Sequence, residues 1–179
     1  GNLFFEQLAN VISNQNYSTE ELRRYLLKVL IGVRHVEISI CGIYSYALYV
    51  RALDNNADTI ISGSFPKLSS VCKFLIEQNK NVVLGCAGWK DRVNIEDTLF
   101  AGAVISKIKE HFTIHCDSSL TAELLYETNK HDIIGFAPKL THYHRLVDRF
   151  GLIEDINFCL TPDVADVLVV YEDGKLLAK

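Results

Sequence analysis

The stretch CAGWKDRVNIEDTLFAG (residues 86–102) places two neighbouring acids, Glu96 and Asp97, where a helix is predicted to begin. The loop before them contributes Gly88, Lys90 and Arg92. Carboxylate oxygens are the ligands that Mg²⁺ prefers, and lysine or arginine neutralises a phosphate. Magnesium usually bridges a carboxylate and a substrate phosphate and polarises phosphorus towards attack by water. The stretch therefore predicts a metal and phosphate site, with Gly88 allowing the backbone to turn.

A helix N-terminus explains the same acids without any ligand. Asn94 is a good N-cap, and both acids lie in the first turn, where exposed amides and the helix dipole favour negative charge. Capping alone is worth about 1 kcal/mol. Neighbouring residues diverge by about 100° around a helix, so at most one acid is expected to bind a metal directly, and we favour Asp97. For Glu96, capping and metal binding both stay open.

Two histidines, a serine and a cysteine are further candidates. His142 and His144 in THYHRL are on different faces of a helix, so they would share a metal only on a strand. Ser64 follows a predicted strand end and could donate a hydrogen bond to an oxyanion, although SGSFP is also an ordinary turn sequence. Cys86 lacks the longer loop of amides and arginine that a phosphatase thiolate needs, so we exclude it as a nucleophile.

Strand and helix patterns alternate around these candidates. Strands are predicted at Val36–Ile40, in DTIIS and in VVLGC, and a helix is predicted over LSSVCKFLIEQ. The helix that carries the acid pair runs from Ile95 to about Ile108, and its glycine, Gly102, is expected to face the sheet. This order predicts an α/β fold with a layered, largely parallel β-sheet flanked by helices. Ligands of such sheets bind outside the carboxyl ends of the strands, where the loop after VVLGC lies.

The remaining segments complete one domain. Helices are predicted in YSTEELRRYLLKVL, which opens with a capping box, in GIYSYALYVRAL and in LTHYHRLVDRF. Asp117 or Ser118 is predicted to cap the helix SLTAELLYETN, and VADVLVVYEDGKLLAK reads as a final strand with an aspartate-glycine turn. We expect a single α/β domain over residues 1–179, in which a helical segment (1–33) precedes an α/β core (34–179).

The composition is that of a globular chain, with 49% hydrophobic and 22% charged residues. No apolar run approaches the roughly 20 residues that span a bilayer, and the opening GNLFFEQLANVISNQ has no basic flank. We therefore expect a cytoplasmic protein with no membrane partner. The net charge of −4 without a basic stripe argues against nucleic acid. The five cysteines form no C-x-x-C pair, and we expect most to be buried thiols.

The stretch CAGWKDRVNIEDTLFAGAV, with GSFPKLSSV before it and DINFCL after it, resembles the 2-phosphosulfolactate phosphatase family. Members of this family are magnesium-dependent phosphatases of coenzyme M biosynthesis. The similarity continues through LTAELLYETNKHDIIGF, THYHRLVDRFGLIEDINFCLTPDV and VYEDGKL, and covers about residues 58–176. The resemblance implies an α/β hydrolase of a phosphate monoester that uses Mg²⁺.

The resemblance also implies roles for single residues. Mg²⁺ would be held near Asp97 and Glu96, and Lys90 and Arg92 would counter the phosphate charge during attack by water. The family usually carries a histidine at the position of His142, which makes this residue a candidate general acid or phosphate contact, with a packed core histidine as the alternative. The expected substrate is a small anionic phosphoester similar to 2-phosphosulfolactate. A homo-oligomer is a further hypothesis, because a second subunit would complete the cleft.

A competing hypothesis is a truncated or degenerate relative that binds a small anion or a protein partner without catalysis. The family's N-terminal aspartate-valine-leucine-arginine-alanine-threonine signature is not found in this sequence. Of the family's segment ending in asparagine-glycine-threonine, only Gly42 is clearly kept, near EISICGIYS. The substitution Asp97→Asn separates the hypotheses, because loss of a metal ligand abolishes turnover whereas loss of a cap costs only modest stability.

Overall fold

A mixed sheet runs through the computed structural model, which describes residues 2–6, 36–41, 57–88, 92–173 and 175–179. Within these residues the strand order is β5-β1-β4-β2-β3-β6-β7. The pairs β1–β4, β1–β5, β2–β3 and β2–β4 are parallel, whereas β3–β6 and β6–β7 are antiparallel. The strands are β1 (Asn2–Glu6), β2 (Val36–Cys41), β3 (Thr59–Ser62), β4 (Asn81–Cys86), β5 (Thr113–Ile114), β6 (Val169–Glu172) and β7 (Lys175–Ala178).

The register of the parallel strands brings their carboxyl ends to one edge of the sheet. Ile40 of β2 pairs with Ser62 at the end of β3 and with Gly85 near the end of β4. The chain therefore leaves β3 and β4 on the same edge and continues towards Ser64 and Gly88. This is the edge at which open α/β sheets bind their ligands.

Six α-helices and two 3₁₀ turns are described. Most of the residues of α2 are buried, whereas α5 has no buried residue and only part of its surface packs against the core. The helices are α1 (Leu68–Gln78), α2 (Ile95–Ile108), α3 (Asp117–Asn129), α4 (Ile133–Phe136), α5 (Thr141–Phe150) and α6 (Ile153–Leu160), and the 3₁₀ turns are Phe65–Lys67 and Ala137–Lys139.

Helix α2 passes very close to α3 at Gly102. A Cβ atom built on this glycine would lie 2.0 Å from the carbonyl oxygen of Ala122 and 2.8 Å from the Cβ of Tyr126. Real Cβ atoms essentially never come so close to backbone, so only glycine fits without moving α3. The prediction that Gly102 faces the sheet is corrected, because the helix face that holds it packs on a helix instead.

The segment after α6 is hydrogen-bonded to the start of α1. The Asp163 carboxylate accepts hydrogen bonds from the backbone N–H of Ser69 at 2.6 Å and from its hydroxyl at 2.7 Å. The backbone N–H of Asp163 also donates to the carbonyl oxygen of Phe65 at 3.0 Å. The first of these bonds gives the backbone amide of Ser69, in the first turn of α1, an acceptor. Together the bonds hold the end of α6 beside the turn that follows β3.

The α/β class predicted from the sequence is confirmed, and the strands at 36–40 and 59–62 and the helices at 68–78, 95–108 and 141–150 lie where expected. Asn2–Glu6 is a strand, which corrects the helical prediction for that part of residues 1–33. Neither Asp117 nor Ser118 is a cap, because α3 begins at Asp117 and its N-cap is Cys116. The helices predicted at 17–30 and 42–53 lie outside the described residues. In the part of the chain that the structure describes, no helix is long and apolar enough to cross a membrane.

Candidate active site

A cavity of about 330 Å³ opens at the sheet edge where β3 and β4 end. Its lining comes from the turns after these two strands, from the N-terminal halves of α2 and α5, from the second 3₁₀ turn and from α6 along its length. Of the site residues predicted from the sequence, Ser64, Gly88, Glu96, Asp97 and His142 all line it. The fold thus brings together residues from four separate parts of the chain.

Asp97 is buried and points back to the loop that precedes α2. Only 4% of its surface is exposed, and its Oδ2 accepts a hydrogen bond from the backbone N–H of Gly88 at 2.9 Å. Gly88 has a φ of 68°, a left-handed conformation that favours glycine. The amide of Gly88 therefore orients a carboxylate of the cavity. This bond ties the first turn of α2 to the end of β4.

Asn94 is the N-cap of α2, as predicted from the sequence. Its side-chain oxygen accepts a hydrogen bond from the backbone N–H of Glu96 at 3.1 Å, and its carbonyl oxygen accepts one from the Thr98 hydroxyl at 3.0 Å. These contacts fix the start of the helix. Because Asn94 already caps the helix, the carboxyl groups of Glu96 and Asp97 are not needed as the side-chain cap.

Burial raises the pKa of the Glu96 carboxyl above its ordinary value. The hydrogen bond to its own backbone and the nearby Arg145 guanidinium lower this pKa but offset the burial only in part. A buried carboxylate favours a cation or a proton at its oxygens. The raised pKa follows from burial, since the helix dipole at this position favours the ionised carboxyl.

His142 lies in the first turn of α5, and its Nδ1 accepts a hydrogen bond from Nη2 of Arg145. Burial lowers the pKa of His142, and the positive charge of Arg145 lowers it further. His144 is exposed, lies 3.7 Å from Asp148 and does not line the cavity. This placement agrees with the prediction that the two histidines lie on different faces of a helix.

The serine and the two bases predicted for phosphate binding are placed differently. Ser64 lines the cavity, and its side chain makes no capping bond to the turn that follows it. Lys90 lies outside the described residues. Arg92 is exposed and is not among the cavity residues. The phosphate-binding roles of Lys90 and Arg92 stay predictions.

Three polar residues of the cavity, and one arginine beside it, were not predicted from the sequence. Tyr143, Asp155 and Cys159 line the cavity, and Arg145 contacts His142 from the same helix. The sequence could have indicated Arg145, because it lies three residues after His142 and residues three apart share a helix face. Asp155 and Cys159 are four apart on α6 and also share a face, but only the packing of α6 shows that this face meets the cavity.

The cavity contains hard oxygen donors of the kind that Mg²⁺ prefers. Among the residues that the structure describes, no group of three or more His, Cys, Asp or Glu side chains could hold a metal ion. Mg²⁺ does not need such a cage, since it keeps several waters and is usually held by one or two carboxylates and substrate phosphates. Asp97 and Glu96 supply hard oxygen ligands of this kind, and a cation would offset the burial of Glu96.

Comparison with known proteins shows the family of the chain. The family model described as 2-phosphosulpholactate phosphatase matches residues 49–174. A probable 2-phosphosulfolactate phosphatase of Caldanaerobacter subterraneus subsp. tengcongensis is 32% identical over 124 residues, which cover 66% of this chain and 49% of the relative. Proteins of the same name occur in Synechocystis sp. (30% identical, covering 66% of this chain and 51% of the relative) and in Thermotoga maritima (29% identical, covering 69% of this chain and 52% of the relative).

The match includes the whole of the cavity described above. The chain spans about half the length of the curated relatives that it matches. The matched residues contain β3, β4 and α1 to α6, and therefore Ser64, Gly88, Glu96, Asp97 and His142. The resemblance noted from the sequence motifs is thus confirmed. The chain belongs to the 2-phosphosulpholactate phosphatase family.

Proposed function

We propose that this protein is a Mg²⁺-dependent phosphoric monoester hydrolase that acts on a small anionic phosphate ester similar to 2-phosphosulfolactate. The family match and the names of the relatives support a phosphatase. The observation that carries the proposal is the convergence of Ser64, Gly88, Glu96, Asp97 and His142 on one cavity at the carboxyl edge of the strands. The cytoplasmic location and a place in coenzyme M biosynthesis belong to the same proposal.

The acid pair is assigned to the metal. Asp97 would be the direct ligand, because the Gly88 amide holds its carboxylate in one orientation. Glu96 would add a second oxygen through a bound water. When bound, Mg²⁺ would supply the positive charge that polarises the phosphoryl group towards attack by water.

The remaining cavity residues are assigned to the substrate. Ser64 would donate its hydroxyl hydrogen to a phosphoryl oxygen, and His142 would contact the phosphate from the opposite helix, α5. Lys90 and Arg92 would counter the charge of the phosphate from the loop between β4 and α2. Of the two roles predicted for His142, phosphate contact fits better than general acid, because burial and Arg145 keep its pKa low and its ring neutral.

The arrangement of the sheet also belongs to the proposal. We infer a layered fold in which helices cover a largely parallel sheet. The parallel pairing of β5, β1, β4, β2 and β3 supports this inference. A sheet of this kind would place the phosphate at the strand ends, next to the first turn of α2.

The experiment is phosphate release from 2-phosphosulfolactate and from a generic aryl phosphate, with Mg²⁺ and then with excess chelator. We expect turnover with Mg²⁺ that disappears with the chelator and returns when Mg²⁺ is added back. Binding of Mg²⁺ alone, measured by calorimetry, should be weaker in Asp97→Asn than in the wild type. No phosphate release from a sample with a cooperative unfolding transition would contradict the proposal and favour the non-catalytic alternative.

A further inference from the structure

We propose that Arg145 is a positioning residue of this site: its guanidinium donates to Nδ1 of His142 and thereby leaves the ring hydrogen on Nε2, as a neutral donor for a phosphoryl oxygen. The inference rests on the proposed phosphatase function for the identity of the acceptor. The tautomer itself follows from the geometry of α5 and is open to measurement without any substrate.

The chemistry of the two side chains sets the tautomer. A guanidinium has N–H donors only and is not deprotonated in proteins. Arg145 Nη2 contacts His142 Nδ1, so this nitrogen must be the acceptor. A neutral imidazole that accepts at Nδ1 carries its hydrogen at Nε2. The contact thus leaves one donor on the ring, at the nitrogen that Arg145 does not touch.

Acidic groups predominate among the titratable side chains that line the cavity together with His142. The titratable groups that line it are Glu96 and Asp97 on α2, Asp155 and Cys159 on α6, and Tyr143 beside His142 on α5. The carboxylates among them accept rather than donate when ionised, and they would favour a protonated ring. The Arg145 charge opposes that protonation, because it lowers the pKa of His142.

Arg145 acts on the site through His142 and also balances the charge of Glu96. It is not among the residues that line the cavity, yet it lowers the pKa of the Glu96 carboxyl as well as that of His142. The guanidinium is therefore close enough to both side chains for its charge to act on them. The contact with Nδ1 of His142 is the one that sets the tautomer.

The tautomer is tested by ¹⁵N NMR of the full chain labelled in histidine. Near neutral pH we expect His142, assigned by its absence in His142→Gln, to show an unprotonated Nδ1 and a protonated Nε2. In Arg145→Met this pattern should be lost and the ring should protonate at a higher pH than in the wild type. The matched control is Arg149→Met on the same helix, whose guanidinium lies 5.6 Å from the centre of the Phe150 ring. It should leave His142 unchanged.

The kinetic arm separates positioning from a merely structural role. We expect Arg145→Met to lower kcat/KM for phosphate release roughly 10- to 100-fold, the size typical of one hydrogen bond to a charged group. His142→Gln, which keeps an N–H donor near Nε2, should retain activity that His142→Ala lacks. In the His142→Gln background, Arg145→Met should have little further effect, because the residue that it positions is gone.

Two outcomes would overturn the inference. One is a wild-type His142 with its hydrogen on Nδ1 or with both nitrogens protonated near neutral pH. The other is an Arg145→Met variant that is folded and keeps the wild-type tautomer. Neither outcome depends on turnover, so a failure of the phosphatase proposal, seen as no phosphate release by the wild type, is distinguishable from a failure of the Arg145 inference.

Discussion

Helices α2 and α5 both present their first turn to the cavity, but they are held in different ways. Ten of the fourteen residues of α2 are buried, and Asn94 caps its start. Helix α5 has no buried residue, and only Tyr143, Leu146 and Val147 pack against the core from one side. A side chain on α2 is therefore placed by the core, whereas one on α5 depends on local partners. His142 needs Arg145 for this reason, while Asp97 is fixed by the backbone of Gly88.

The largest expected effect tests whether Asp97 is functional rather than structural. We expect Asp97→Asn to lower kcat roughly 10³-fold, because a metal ligand supplies several kcal/mol to the transition state. The matched control is Asp117→Asn, an exposed acid in the first turn of α3, which should lose only about 0.3–1 kcal/mol of helix-dipole interaction and no activity. Steady-state kinetics and urea unfolding of both variants check this. Unchanged turnover in Asp97→Asn would show that our site assignment is wrong.

A pair of glycines tests the difference in packing between the two helices. Gly102→Ala on α2 should cost about 3 kcal/mol or more, because the new Cβ would overlap the Ala122 carbonyl and α3 would have to move. Gly151→Ala at the C-cap of α5 adds a Cβ with nothing within 4 Å, and should cost only about 1 kcal/mol for its left-handed φ of 67°. Urea unfolding measures both. Equal costs would mean that α2 is not packed more tightly than α5.

The smallest expected effect is a pH dependence of opposite sign at the two helices. The pKa of His142 is lowered from 6.5, so between its folded pKa and 6.5 the unfolded chain binds more protons. The free energy of unfolding therefore falls as pH decreases through that interval. The pKa of Glu96 is raised from 4.5, so above 4.5 the folded chain binds more protons, and the free energy of unfolding rises as pH decreases towards that value.

Urea unfolding from pH 4.5 to 8, with chelator present, separates the contribution of His142 to the pH dependence from that of Glu96. His142→Gln should lose less stability than the wild type below pH 6.5. Glu96→Gln should be more stable than the wild type at neutral pH, with an advantage that shrinks towards pH 4.5. His144→Gln, an exposed histidine of α5, is the control for both. If neither substitution changes how the free energy of unfolding depends on pH, burial does not shift the pKa of either group.

Much of the local structure was predictable because it depends on neighbours in sequence. Helix α2 occupies Ile95–Ile108 as predicted, since an N-cap and an apolar face specify a helix without reference to the rest of the chain. The start of α3 was misplaced, because several polar residues in a row offer equivalent caps. The environment of Gly102 was also missed, because periodicity tells that a face is buried but not whether it meets a sheet or a helix.

The sequence by itself determined the elements, the family and most of the candidate residues, Ser64, Glu96, Asp97 and His142 among them. Only the tertiary structure decided that these residues meet in one cavity, that the Gly88 amide holds Asp97, and that Asp155 and Cys159 face them from α6. The physical reason is the range of the interactions. Caps and periodic faces are set within a few residues, whereas a cavity is set by how distant helices pack on the ends of a sheet.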